Sequence, residues 1–382
     1  MNPVKALQQH GQSVWLDFLA RGFIARGNLK KLIDEDGLRG VTSNPSIFEK
    51  AIGESDEYDK AIARALEAND PSVGELYENL AVADIKHAAD VLRPVFDASQ
   101  GSDGFVSMEV SPYLAMDTER SISEARRLWR EIDRRNLMVK IPATRPGLPA
   151  IEALIAEGIN INITLLFSRK VYEQVVEAYL RGLEALAARG GNPSQVASVA
   201  SFFVSRIDSA VDKLLEQKIA QANNPDEKER LRKLKGKVAI ANAKLAYHRY
   251  KQLFAGERWS RLQAKGAKPQ RLLWASTGTK DKAYSDVLYV EELIGPNTVN
   301  TMPPATLDAF RDHGKLRDSL EENLEDARHV LDDLGHAGIA LDTVTDKLVE
   351  DGVRLFADAN DKLFSAIAGK GAATPARKAA RP

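Results

Sequence analysis

The sequence predicts an α/β protein, a (β/α)8 TIM barrel with additional helical insertions and a C-terminal helical segment. Eight short apolar runs occur along the chain, and segments with helical periodicity separate them. No Gly-x-Gly-x-x-Gly motif follows the first run, which weakens the alternative of an open dinucleotide-binding sheet. Eight strand–helix units therefore favour a closed barrel of parallel strands. One barrel with insertions fits the 382 residues as well as two domains would.

The predicted strands are short runs rich in β-branched and aromatic residues, bordered by residues that favour turns. They lie at residues 13–19, 39–44, 104–110, 136–142, 161–167, 196–204, 270–277 and 297–303. Because helical segments alternate with these runs, we expect βαβ units whose strands run parallel.

The helical segments carry recognisable end signals. Ser121 is predicted to cap a helix, with Glu124 three residues later as in a capping box. Residues 168–190 contain strong helix formers and end on glycine, as helix C-termini often do. Long helical insertions are predicted at 54–99 and 207–267. The second is highly charged over 223–254, and it is expected to form an antiparallel helical pair with a solvated face.

The domain organisation follows from these elements. Residues 316–368 are amphipathic and complete a single barrel domain that we expect to cover residues 1–368. The remaining stretch, 369–382, is basic and rich in alanine and proline, without periodicity, so it is predicted to be a disordered tail.

Composition narrows the possible functions. The 53 basic and 54 acidic residues nearly cancel, so the simplest electrostatic case for a nucleic-acid or membrane partner is missing. There is no cysteine, which excludes disulfides, thiolate metal sites and a catalytic thiol. The six histidines lack metal-ligand spacing, no Gly-x-Ser-x-Gly elbow occurs, and no metal site is predicted. With no signal peptide or apolar span expected, we predict a soluble cytoplasmic protein.

Strand parity identifies candidate functional residues. Neighbouring side chains on a strand point to opposite faces, so one face of each strand meets the helices and the other meets the barrel interior. In "NINITLLFS", Ile161, Ile163 and Leu165 are predicted to face the helix layer, opposite Asn162 and Thr164. The polar residues placed inward lie near the C-terminal ends of their strands, where barrels carry active sites. They are Asp17, Asn44, Glu109, Lys140, Asn162 and Thr164.

These residue types suit Schiff-base chemistry on a polyhydroxylated carbonyl substrate. Lys140 lies between apolar neighbours, and burial disfavours the ammonium form of a lysine, which supplies the free amine that attacks a carbonyl. Asp17 and Glu109 are two carboxylates available for proton transfer. Asn44 and Asn162 offer donors and acceptors to substrate hydroxyls. A lysine that only neutralises a phosphate would not need flanking carboxylates.

The remaining candidates extend the site along the later strands. Thr164 can hold a water molecule beside the lysine. Ser201 and Arg206 lie at the end of the sixth strand, and Ser276 and Lys280 follow the seventh. Cations and hydroxyls at strand C-termini are suited to holding a substrate phosphate. Lys280 is equally well explained as a rim cation, because charged residues are common in loops.

Several motifs resemble the transaldolase family. "GVTSNPSIFEKAI" at 40–52 is similar to the first signature of that family, and the stretch 136–168 is similar to the second, which carries the Schiff-base lysine. "SVWLDFLARG", "VSMEVSP" and "SFFVSRID" also match, so the resemblance runs from about residue 13 to 310. The long insertions and "WASTGTKD" resemble the longer bacterial branch, which includes the transaldolase part of transaldolase–glucose-6-phosphate isomerase fusions.

The resemblance implies a cofactor-free ping-pong transfer in the non-oxidative pentose phosphate pathway. Lys140 would form the Schiff base and Asp17 would deprotonate the C4 hydroxyl of sedoheptulose 7-phosphate or fructose 6-phosphate. The dihydroxyacetone unit would pass to glyceraldehyde 3-phosphate or erythrose 4-phosphate. The other matched residues would position water, hydroxyls or phosphate: Glu109 and Thr164 the water, Asn44, Asn162 and Ser201 the hydroxyls, and Arg206 the phosphate. Ser276 and Lys280 stand in for a second phosphate-binding arginine of the family.

Two other functions fit the same residues. A Schiff-base aldolase of the fructose-6-phosphate aldolase type would release free dihydroxyacetone through nearly the same side chains. A catalytically inactive sugar-phosphate binder would need no buried amine, so Lys140 with its two carboxylates argues against it. The chain is expected to act as a monomer or a homodimer on sugar-phosphate substrates.

Overall fold

A computed structural model of the chain describes residues 2–373, and in this range eight parallel strands close into a barrel in chain order. β8 pairs with β1 and completes the closure. The strands are β1 Gln12–Asp17, β2 Gly40–Thr42, β3 Phe105–Glu109, β4 Leu137–Pro142, β5 Ile161–Leu166, β6 Ser198–Phe203, β7 Arg271–Ala275 and β8 Thr298–Met302. The predicted barrel is confirmed, and the predicted strand ends differ from these bounds by at most two residues.

Helices surround the barrel and fill the insertions. Before β3 they are α1 Pro3–Ala6, α2 Arg21–Ala25, α3 Asn28–Asp36, α4 Pro45–Gly53, α5 Asp59–Asn69 and α6 Val73–Ala98. Between β3 and β7 they are α7 Thr118–Ile132, α8 Gly147–Ala156, α9 Arg169–Ala188, α10 Ser205–Gln221, α11 Pro225–Leu234, α12 Val238–Leu253 and α13 Glu257–Gln263. The last are α14 Leu288–Glu292, α15 Pro304–His313, α16 Leu324–His336 and α17 Leu341–Ala373. Short 3₁₀ turns lie at Leu7–His10, Pro112–Leu114, Pro193–Gln195 and Ser319–Glu321.

Two predicted helix boundaries were tested directly. α9 begins after Ser168, whose Oγ accepts a hydrogen bond from the Val171 amide, and it is followed by Gly190 with φ of 79°. The prediction for Ser121 is wrong, because α7 begins at Thr118 and Asp117 is its cap, accepting from the Arg120 amide at 3.0 Å. Ser121 lies inside the helix instead. An aspartate is as good a cap as a serine, and the sequence contains both within one turn.

The predicted second insertion, 207–267, contains the helices α10 to α13. α11 packs mainly against α10, whereas α12 packs against α16, α10 and α9. Most of α12 is buried, including Asn242, Lys244 and Tyr247. Its alanine-rich first part is buried in the helix layer, and only its C-terminal part, with Lys251 and Gln252, is exposed.

β5 contains an irregularity that the alternating pattern did not reveal. Ile163 pairs with Ala200 and Leu166 with Phe202, so β5 has one residue more than β6 between these pairs. Leu165 takes up the extra length with φ of 54°, a left-handed conformation that costs a bulky residue energy. The prediction that Leu165 belongs to the outer layer with Ile161 and Ile163 is therefore corrected. Its side chain contacts Gly352 of α17.

α17 connects distant parts of the molecule. Gly352, Phe356, Asn360 and Phe364 recur every four residues and so share one face of this helix, which we call the barrel-facing stripe. The helix packs against α4, α5, α6, α10 and β5. Near its end Lys370 Nζ donates to the Ser55 carbonyl at 2.7 Å. α17 reaches Ala373, so residues 369–373 of the predicted tail are helical, and 374–382 lie outside the described residues.

No helix within residues 2–373 combines the length and the apolar character that crossing a membrane requires.

Candidate active site

Lys140 occupies the centre of the cluster that strand parity predicted. Its position on β4 pairs with Glu109 on β3 and with Asn162 on β5, so the three side chains enter the barrel side by side. The lysine side chain is only 6% exposed. Its Nζ donates to the Ser43 carbonyl at 2.9 Å and lies 3.2 Å from Oε2 of Glu109. The amine is thus held by one neutral acceptor and one carboxylate.

The surroundings of Glu109 change the pKa of its carboxyl. Burial raises the pKa of its carboxyl above the ordinary value, and the positive charge of Lys140 opposes this rise. The contact with Lys140 does not satisfy hydrogen-bond angles, and Oε2 has no hydrogen-bond partner among the described residues. The buried Oγ1 of Thr164 is likewise unpartnered there. Because such buried atoms normally have partners, both are available to a reacting group or a water molecule.

Asp17, at the end of β1, is the second carboxylate. Burial raises the pKa of its carboxyl, and Lys140 and a hydrogen bond from Thr42 oppose the rise. Thr42 Oγ1 lies 2.8 Å from Asp17 Oδ1 and 2.8 Å from Oγ1 of Thr301 on β8. A carboxylate whose pKa is moved toward neutrality is suited to accept and return a proton.

Thr42 and Thr301 were missed as functional candidates, although a signal for Thr42 existed. Thr42 is the last residue of β2 and precedes Asn44 by two positions, so parity places Thr42 on the same inward face as Asn44. Short hydroxyl residues are common in strands, and neither threonine stood out from its type alone.

Asn162 belongs to a hydrogen-bonded chain across three strands. Its Nδ2 donates to Oγ of Ser107 at 2.9 Å, and its Oδ1 accepts from Oγ of Ser201 at 2.7 Å. All three side chains are buried. Ser107 was not proposed as a site residue, although it lies two residues before Glu109 on β3 and parity places both on one face. The chain fixes the orientation of the amide and leaves one of its N–H groups uncommitted.

Asn44 caps a helix and also lies at the barrel mouth. Its Oδ1 accepts from the Ile47 amide at 3.0 Å and caps α4. Pro45 follows as the first helical residue, where the lack of an amide hydrogen is harmless. The amide nitrogen of Asn44 has no hydrogen-bond partner among the described residues, and it is free to meet a substrate.

Arg206 lies in the first turn of α10, just beyond β6. Among residues 2–373 it forms no ion pair and no hydrogen bond, although its guanidinium Cζ lies over the rings of Phe203 at 5.1 Å and Phe356 at 5.8 Å. Burial lowers the pKa of its guanidinium, and the charges of Asp17 and Glu109 oppose that change. A half-buried cation whose donors are free of partners among the described residues is arranged to receive an anion.

Ser276 and Lys280 follow β7 on the same side of the barrel. Ser276 has φ of 58°, and its Oγ lies 2.9 Å from Oγ of Ser205 at the start of α10. The Ser205 amide also donates to the Ser276 carbonyl at 3.1 Å. The side chain of Lys280 is exposed, yet its positive charge lowers the pKa of Asp17, so it lies on the same side of the mouth. The structure therefore groups every predicted site residue at one end of the barrel.

A cavity of about 350 Å³ adjoins this cluster. Its lining includes Asn44 and Glu109 on the barrel side and Tyr77, Asn360 and Phe364 from the surrounding helices. A larger groove of about 720 Å³ lies elsewhere, between α10, α11 and α16, and includes none of the predicted site residues. Of the predicted site residues, Asn44 and Glu109 line the smaller cavity.

The donor set favours organic over metal chemistry. Within the part of the chain that the structure describes, no group of three or more histidine, aspartate or glutamate side chains is arranged to hold a metal ion. A buried amine with two carboxylates is instead the equipment for imine formation and proton transfer.

Comparison with known proteins agrees with this chemistry. The sequence model of the family described as Transaldolase/Fructose-6-phosphate aldolase matches residues 14–367. The chain is 48% identical over 371 residues to a protein named Transaldolase from Trichodesmium erythraeum, covering 97% of both chains. It is 50% identical over 372 residues to Transaldolase 2 from Nostoc punctiforme, again covering 97% of both. The similarity thus confirms the resemblance of the motifs, and the chain belongs to the transaldolase/fructose-6-phosphate aldolase family.

Proposed function

We propose that the chain is a transaldolase. It transfers a dihydroxyacetone unit from sedoheptulose 7-phosphate or fructose 6-phosphate to glyceraldehyde 3-phosphate or erythrose 4-phosphate. The observation that carries this proposal is the buried amine of Lys140, 3.2 Å from Glu109 and in the electrostatic field of Asp17. Relatives named transaldolase at 48–50% identity over nearly the whole chain support it.

The first step forms the Schiff base. Proton transfer from Nζ of Lys140 to Glu109 leaves a neutral amine beside a neutral acid, which suits a carboxyl whose pKa burial raises. The amine adds to the C2 carbonyl of the donor. The resulting carbinolamine loses its hydroxyl as water with the proton from Glu109, and the unpartnered Oγ1 of Thr164 holds that water.

The second step breaks a carbon–carbon bond. Asp17 takes the proton of the C4 hydroxyl, the C3–C4 bond breaks, and its electron pair moves into the iminium to give an enamine on Lys140. An aldose phosphate leaves. An acceptor aldehyde then reacts with the enamine, Asp17 returns its proton to the new hydroxyl, and hydrolysis frees the product. Because burial raises the pKa of Asp17, its carboxylate accepts this proton more readily than an exposed aspartate would.

Substrate hydroxyls are held by neutral groups. Asn162 has one N–H group left after its bond to Ser107, and Ser201 keeps lone pairs while donating to Asn162. Asn44 contributes its amide nitrogen, since its oxygen caps α4. These residues distinguish a polyhydroxylated chain from an apolar carbonyl compound, because each group left unpaired on binding would be penalised.

The phosphate is held by residues that follow β6 and β7. Arg206 offers a guanidinium without an ion-pair partner among the described residues, and Ser276 and Lys280 extend the site from the β7 loop. A planar guanidinium can bind two phosphate oxygens at once. Lys280 is exposed, so its contribution is an orienting charge more than a buried contact.

Two measurements test the proposal. Incubation with fructose 6-phosphate, borohydride reduction and peptide mass analysis should locate a three-carbon adduct on Lys140; an unmodified Lys140 would refute the mechanism. Adding erythrose 4-phosphate should yield sedoheptulose 7-phosphate. Release of free dihydroxyacetone at a matching rate without acceptor would instead identify the aldolase that shares this family description.

A cytoplasmic location, action without a cofactor and a monomeric or homodimeric state stay predictions. Sedimentation analysis of the purified chain would decide the last.

A further inference from the structure

Arg206 poses a problem of positioning. Its side chain is long and flexible, and no hydrogen bond or ion pair from residues 2–373 fixes its guanidinium. Free donors suit phosphate binding, but an unrestrained arginine loses rotamer freedom when it binds. Something other than a polar partner must therefore hold the group in place.

Two aromatic rings provide such a contact. The guanidinium lies over Phe203, from the end of β6, and over Phe356, from the barrel-facing stripe of α17. Both distances, 5.1 and 5.8 Å, fall within the range of a cation–π interaction. Ring faces attract the cation without accepting its N–H groups in hydrogen bonds, so the donors stay available to a ligand.

The two rings differ in how they are held. Phe203 is three residues from Arg206 and is carried by the barrel itself. Phe356 is 4% exposed and depends on α17, whose neighbouring stripe residue Gly352 contacts Leu165. At Gly352 an added Cβ would come within 2.7 Å of Leu165 Cδ2, so the approach of the helix to β5 is close at this point. α17 is thereby fixed at the level where its ring meets the guanidinium.

We propose that Phe356 is a positioning residue that presents Arg206 to the phosphate of the sugar substrate. The inference deepens the proposed function and rests on it for the identity of the phosphate-bearing ligand. Because the phosphate is remote from the reacting carbons, a loosened Arg206 weakens binding of substrate and transition state alike. Such a change raises KM and leaves kcat nearly unaltered.

The test uses three variants of the full chain. Phe356→Leu keeps an apolar side chain but removes the ring, and Phe356→Tyr keeps the ring. Leu355→Ala alters the adjacent residue of α17, which is 50% exposed, and serves as the matched control. We expect Phe356→Leu to raise KM for fructose 6-phosphate about three- to tenfold with kcat within about twofold. Phe356→Tyr and Leu355→Ala should retain the wild-type KM.

A second readout separates this inference from the proposed function. Calorimetric titration with inorganic phosphate needs no turnover, and Phe356→Leu and Arg206→Gln should both weaken binding. If the wild-type chain binds phosphate in this way but fails to transfer, the proposed function is refuted and the role of Phe356 stands. If the wild-type chain transfers but Phe356→Leu leaves phosphate affinity and KM unchanged, the positioning role is refuted. An equal fall in kcat with phosphorylated and unphosphorylated acceptors would refute it as well.

Discussion

Burial raises the pKa of Asp17 and a hydrogen bond from Thr42 opposes the rise; replacement of Thr42 by valine tests the contribution of that bond. Valine has nearly the shape of threonine but lacks the hydroxyl that donates to Asp17 Oδ1 at 2.8 Å. This hydrogen bond lowers the pKa of Asp17 against the larger raising effect of burial. Thr42→Val should therefore raise that pKa further, so a higher pH is needed to form the carboxylate that accepts the C4 proton.

The size of the effect follows from the type of bond. A hydrogen bond to a charged group contributes about 1.5–3 kcal/mol, and one pKa unit corresponds to about 1.4 kcal/mol. The acid limb of the profile of kcat/KM against pH should accordingly move upward by about one to two units. That profile reports ionisations of the free enzyme, which is the state the structure describes.

Two controls isolate the bond. Thr42→Ser keeps the hydroxyl and should keep the wild-type acid limb. Thr301→Val removes only the second contact of Thr42, at 2.8 Å, and should shift the limb much less than Thr42→Val. An acid limb that is the same in Thr42→Val and Thr42→Ser would refute the assignment of Asp17 as the base tuned by Thr42.

Three further predictions concern single residues. Lys140→Ala should abolish turnover and the borohydride adduct while circular dichroism stays unchanged; an adduct on another lysine would contradict this. Asp17→Ala should lower kcat about 10²–10⁴-fold with the adduct still detected by mass, and loss of the adduct would reassign Asp17. Burial raises the pKa of Asp208 to about 7 from 3.8, so the stability it contributes is present at acid pH and is lost as pH rises through 7. The free energy of unfolding of Asp208→Asn, measured with denaturant, should thus differ less between about pH 5 and about pH 8 than that of the wild type. An equal difference would contradict the assignment.

Strand periodicity made much of the site predictable. In a parallel barrel the direction of every strand is the same, so a polar residue on the inward face near a strand's C-terminal end has a defined destination. Asp17, Glu109 and Lys140 could be assigned in this way, and they lie together in the structure. Their hydrogen-bond partners could not be assigned from the sequence. Thr42 on β2 and Thr301 on β8 come together only because both strands flank β1 in the closed barrel.

Other features depended on information that a local pattern lacks. The extra residue of β5 changes the direction of Leu165, yet "NINITLLFS" alternates as a regular strand would. Asn44 was predicted to meet substrate with its whole amide, but the turn into α4 engages its oxygen. Amphipathic periodicity predicted helix in 316–368, and it gave no hint that Phe356 would meet Arg206. Long-range packing decides such contacts, and it has no short-range signature.

The position of α17 in the chain has a consequence for how activity arises during synthesis. All eight strands are complete at Met302, and Lys140, Asp17 and Glu109 all precede that point. Phe356 follows the last barrel strand in the chain, so it leaves the ribosome after all eight strands. Phe356, Asn360 and Phe364 of α17 are therefore the last parts of the site to be synthesised, after the strands that carry Lys140, Asp17 and Glu109.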